Sequence, residues 1–186
     1  AKPLFFGRAM RVRRLAAELA EALGEKNAWR IEVAAIFSQV ATITVPEAVT
    51  QAVYEKSTVL PEVQAIVDRF PQVTERLVGD IPRLEEILEI LNGIETQPDF
   101  ESPDERGIQR ASSIIKVALD YDYLVESGGY DQALVVETLR SRTSEYDSAI
   151  TDALQKLFSV VDNKYCIAEV STRNLGAGMR LAEPLQ

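Results

Sequence analysis

The chain has 186 residues, 46% hydrophobic and 26% charged, with a formal net charge of −9. That length suits one domain with a real core, and the acidic balance argues against a general nucleic-acid or anionic-membrane surface. There is no histidine and a single cysteine. This excludes Ser-His-Asp and Cys-His catalysis, His-ligated zinc or iron, and an internal disulfide, while carboxylate-only Mg²⁺ or Ca²⁺ sites stay open.

Helical periodicity runs through most of the chain. Val12, Leu15, Leu19, Ala22 and Leu23 form a stripe at spacings of three and four, ended by Gly24. A second stripe, Trp29, Val33, Ile36, Phe37 and Val40, predicts a helix that stops before Pro46. Pro61 opens a helix carrying Val63, Ile66, Val67 and Phe70, and Pro71 breaks or restarts it ahead of Val73 and Leu77. Ile81 to Leu91 is helical, with Leu84, Ile87, Leu88 and Leu91 on one side. Gln97 to Gly107 is polar, contains Pro98 and Pro103, and reads as a loop. Its acids Asp99, Glu101, Asp104 and Glu105 lack the spacing of a calcium loop. A longer amphipathic helix spans Ile108 to Val125, closed by Gly128-Gly129, and a short one spans Gln132 to Leu139. Asp147 then caps a last helix whose inward face carries Ile150, Leu154, Leu157, Phe158 and Val161. Lys164 to Val170 alternates like a strand and Leu175 to Pro184 is irregular.

The expectation is an all-α body over residues 1–163, with a short extended or β tail or the start of a small appendage over 164–186. No apolar run reaches the roughly 20 residues of a membrane span and no signal peptide opens the chain. With the lone Cys166, this suggests a cytoplasmic protein.

The local strings resemble the HD-GYP family of cyclic di-GMP phosphodiesterases, the output domain of many bacterial response regulators. Where that family reads roughly His-x-x-Arg-Val, this chain has Arg8-Ala9-Met10-Arg11-Val12, running on to Leu23-Gly24. Phe37-Ser38-Gln39-Val40-Ala41-Thr42-Ile43-Thr44-Val45-Pro46 aligns without a gap to Leu-His-Asp-Ile-Gly-Lys-Ile-x-Ile-Pro. Lys56 and Leu60 fit the Lys-x-Gly-x-Leu segment, and Phe70-Pro71 stands where His-Pro is common. Ile114 to Asp122 is similar to the helix bearing the last metal-binding aspartate, and Tyr146-Asp147 to the start of the final helix. Leu175 to Pro184 resembles a string that follows such domains in response regulators, which would make this sequence part of a longer protein; an ordinary tail is the other reading.

The resemblance implies an HD-domain-like helical bundle without the family's chemistry. HD hydrolases hold two or three metal ions with imidazoles and carboxylates. Here the matching positions are Arg8, Ser38, Gln39, Phe70 and Leu119, and the family's Gly-Tyr-Pro segment finds no counterpart between Asn92 and Gly107. We therefore expect no cofactor or bound metal and no enzymatic activity. The expected role is a signalling module that binds a partner protein or a second copy of itself. Arg8 and Arg11 could instead hold an anion such as a nucleotide. Otherwise the cluster Arg8, Arg11, Arg13 and Arg14 is a helix face paired with Glu18, Glu21 or other acids. Asp120 and Asp122 are expected to face water or cap neighbours while Tyr121 packs.

Overall fold

The computed structural model describes residues 3–55, 61–95, 106–127 and 129–162, and among them every regular element is helical. In chain order these are α1 (Pro3–Ala22), α2 (Ala28–Phe37), a 3₁₀ turn (Val40–Thr44), α3 (Glu47–Glu55), α4 (Pro61–Val67), α5 (Phe70–Val78) and α6 (Glu85–Gly93). Then follow α7 (Arg106–Asp122), a π-helical turn (Tyr123–Ser127), α8 (Gln132–Ser141) and α9 (Ser148–Asp162). The all-α expectation holds over this body. The expected loop at Gln97 to Gly107 falls mostly, and the expected strand and tail wholly, outside the described residues, as does Cys166.

The α7 helix is the hub, packing against α1, α2, α6, α8 and α9. Its buried face follows the helical period: Ala111, Ile114, Ile115, Val117, Ala118 and Tyr121. The expected stripe on α1 is confirmed in Val12, Leu15 and Leu19, joined by Ala16 and Ala20. Those alanines let α2 come close, and α1–α2 is the most extensive helix pair of the fold. Between α6 and α7 a buried polar contact supplements the apolar packing: Ser112 Oγ donates 2.7 Å to the Ile90 carbonyl.

Chain breaks follow local chemistry. Gly24 ends the α1 turn at φ +71, a backbone region where a side chain would be strained. Pro71 sits in the first turn of α5, where its missing N–H costs nothing, so α4 and α5 are separate. Asp131 caps α8 by accepting from Ala133 N at 2.9 Å. Asp147 does the same for Ala149 N at 2.8 Å, as its position predicts.

Two expectations need correction, and one helix is not announced by the sequence at all. The α2 helix turns Ile31, Ala34 and Ala35 inward. Trp29, expected on the inner stripe, is 54% exposed. Large apolar residues dominate a periodicity reading, whereas this contact is made by alanines that allow close approach. Leu77 is likewise exposed. Finally, α3 carries no stripe strong enough to announce it, and its buried anchor is Thr50, whose hydroxyl donates to the Thr42 carbonyl at 3.3 Å.

Candidate functional site

The residues singled out in the sequence fall into separate groups. Arg8 and Arg11 lie one turn apart on α1 and turn toward the last turn of α7. There Asp122, only 6% exposed, receives both. Arg11 Nε donates to Asp122 Oδ1 at 2.6 Å and Nη2 to Oδ2 at 3.3 Å, a forked contact matched to carboxylate geometry. Arg8 Nε lies 3.3 Å from Asp122 Oδ2, and its Nη2 reaches the Leu119 carbonyl at 3.5 Å. Arg11 Nη1 also stands 3.9 Å from Glu126 Oε2 on the π turn. Asp122 is thus neither facing water nor a helix cap: it is the shared counter-ion of two arginines 111 and 114 positions earlier. Local spacing carries no sign of such a pairing.

The remaining arginines of the cluster behave as a paired surface. Arg14 meets Glu18 at 2.9 Å, the expected partner, and Arg13 reaches Glu32 on α2 at 2.8 Å. Exposed pairs of this kind contribute about 0–1 kcal/mol each.

Ser38 and Gln39 bond locally, just past the end of α2. Ser38 Oγ donates to the Ala35 carbonyl at 2.7 Å, and Gln39 Nε2 donates to Ser38 Oγ at 3.2 Å, with Gln39 buried. Leu119 packs against the main core, as an inward position should. Phe70, at the start of α5, is half-buried and is not part of that core. Among the described residues no three acids or cysteines are grouped so as to hold a metal ion. Two open clefts have linings that do not include Arg8, Arg11 or Asp122. One of 460 Å³ is bordered by Asp131, Glu137, Arg140 and Phe158, and one of 330 Å³ by Lys26, Arg30, Ile90 and Gly107.

A family model for the HD domain matches residues 1–150, from before α1 into the first turn of α9. The chain belongs to the HD domain family. No curated protein and no solved structure gives a significant match to it. The matched span of this HD domain includes the Arg8–Arg11–Asp122 cluster and all five positions named above.

Beside the cluster, two phenols of the HD domain are tuned by burial. Tyr146 Oη donates to Asp120 Oδ2 at 2.9 Å, so Asp120 too has a specific partner. Burial, then the Asp120 charge, push the Tyr146 hydroxyl well above the usual tyrosine range. Tyr121 stacks on Phe158 with ring centroids 4.8 Å apart, as packing predicts. Among the described residues its hydroxyl has no hydrogen-bond partner, and burial, with the charges of Asp131 and Glu126, pushes its pKa up to about 12. Unfolded tyrosines ionise at about 10. Above that pH the unfolded chain binds fewer protons than the folded one, so stability falls as pH rises toward 12. Urea midpoints measured from pH 9 to 12 should fall, and fall less steeply in the Tyr121→Phe/Tyr146→Phe variant.

Proposed function

We propose that this HD domain is a non-catalytic regulatory module, a degenerate relative of the HD-GYP output domains of two-component response regulators. It acts in the cytoplasm through contact with a partner protein or a second copy of itself. The observation that carries this reading is the ion cluster at the α1–α7 junction. Arg8, at the position the resemblance assigns to a metal-binding imidazole, puts a guanidinium there and binds a carboxylate of its own chain. A guanidinium has no lone pair to give a metal and repels a dication. The other positions do not fit a divalent ion either. Leu119 and Phe70 have no donor atom, and Ser38 Oγ and Gln39 Nε2 are engaged in local hydrogen bonds. With no histidine in the sequence, no imidazole is at hand to replace them.

The reading in which Arg8 and Arg11 sense cyclic di-GMP or a related anion has weaker support. A phosphate would first have to displace Asp122, which both arginines already hold at 2.6–3.3 Å.

The test is direct. Purified protein incubated with Fe²⁺, Mn²⁺ or Zn²⁺ should retain less than stoichiometric metal after desalting. It should not hydrolyse cyclic di-GMP or bis(p-nitrophenyl) phosphate. Turnover that a chelator abolishes and Arg8→Ala alters would overturn the proposal.

A further inference from the structure

The end of α7 contains one residue more than a plain helix would. At Asp122 the α-helical winding gives way to the π-helical turn Tyr123–Ser127. The closing bond shows the surplus. Tyr130 N donates to the Leu124 carbonyl at 3.3 Å, six residues back, and Gly129 sits at φ +63. In the common glycine-terminated helix end this bond spans five residues. Single π turns of this kind are rare and mark an inserted residue that can be passed along a helix.

Upstream of the insertion, α7 is immobilised, because Ile114, Ile115, Val117 and Ala118 are all fully buried. Downstream, Leu124 and Val125 are only partly buried, and the left-handed Gly129 leads into α8. Any change in winding is therefore passed toward α8. That helix and its approach expose Tyr130 and Leu134, at 53% and 51%.

The junction is held from α1. Arg11 grips Asp122, the last α-helical residue, with one edge of its guanidinium and reaches Glu126, inside the π turn, with the remaining nitrogen. Asp122 and Glu126 are four apart and would repel each other on an ordinary helix. The arginine offsets that repulsion and ties both windings to one side chain. Arg8 holds the same carboxylate from one turn earlier on α1.

We propose that Arg8 and Arg11 form a latch on this π turn. A displacement of the first half of α1 frees Asp122, the surplus residue moves, and α8 shifts with its exposed apolar residues. Migration of the surplus by one position turns the residue it passes by about 100° about the helix axis. The latch does not depend on whether the domain catalyses anything.

Hydrogen exchange followed by mass spectrometry on the full chain tests the latch, comparing wild type with Arg11→Ala, Arg11→Lys and Arg14→Ala. Arg11 is 45% exposed, so its loss leaves the fold intact. Arg14, on the same helix and 80% exposed, is the control. In Arg11→Ala, amides of residues 123–130 and of the first turn of α8 should exchange about tenfold faster, with α2 and α6 unchanged. Arg11→Lys should fall between, because it keeps the charge and loses the fork. Unaltered exchange at 123–130, an equal acceleration in α2 and α6, or the same local response from Arg14→Ala would each overturn the proposal.

Discussion

Replacing Asp122 by alanine should lower the unfolding free energy by about 3 kcal/mol, the low end for removing one member of a buried ion pair. Two guanidiniums would then face each other beside the last turn of α7 without the carboxylate they share. Arg8 is the more damaging of the two, since its side chain is 13% exposed and cannot turn freely to water. Arg11 can rotate outward and keep Glu126, which holds the loss to that low end. The cost comes from stranding charge rather than from any large net value of the pair, and this has a measurable corollary. The Arg8→Leu/Asp122→Leu variant, which removes both buried partners, should recover most of the stability lost in Asp122→Ala. Urea midpoints at pH 7 decide the matter. A double variant as unstable as the single one would mean that the cluster contributes through more than charge compensation.

A comparable effect is expected at the centre of α7. Ile115 is fully buried in the core, on the helix that α1, α2, α6, α8 and α9 all pack against. Ile115→Ala should cost about 3–4 kcal/mol, from lost transfer free energy together with a cavity that packed helices cannot collapse. Ile115→Val, which removes one methylene, should cost about 1 kcal/mol. Leu134→Ala, at a half-exposed position on α8, should stay within about 0.5 kcal/mol of wild type. Small domains have about 5–15 kcal/mol in hand, so Ile115→Ala should shift the urea midpoint severely and Leu134→Ala hardly at all. A shallow response at Ile115 would show that the bundle repacks around the gap.

Where stability comes from local pattern, the sequence is legible. Val12, Leu15 and Leu19 on α1, the restart at Pro71, the cap at Asp147 and the inward face of α9 all follow from spacing and backbone chemistry. The HD-domain bundle is legible through its succession of helical stripes and strings such as Phe37 to Pro46. Two kinds of feature escape such a reading. Close helix contacts made by Ala34 and Ala35 leave a weaker periodic signal than the bulky residues beside them. Pairings between distant segments leave none: Asp122 looks like any acid near a helix end until α1 is placed against α7. The π turn is hidden for a related reason, since Tyr123 to Ser127 is as good a helix-former as its neighbours.

The placement of Trp29 governs how any of these variants can be followed in solution. It is the one tryptophan of the chain, half in water at the start of α2, with the Arg30 guanidinium carbon 5.8 Å from its ring centre. Its indole meets solvent in the native state and again after unfolding, so the emission maximum should change little through the transition. Fluorescence would therefore report the local attachment of α2 and its cationic neighbour, and would make a cooperative melt look featureless. Far-ultraviolet circular dichroism of the helices, or the near-ultraviolet signal of the stacked Tyr121 and Phe158 rings, follows the fold itself.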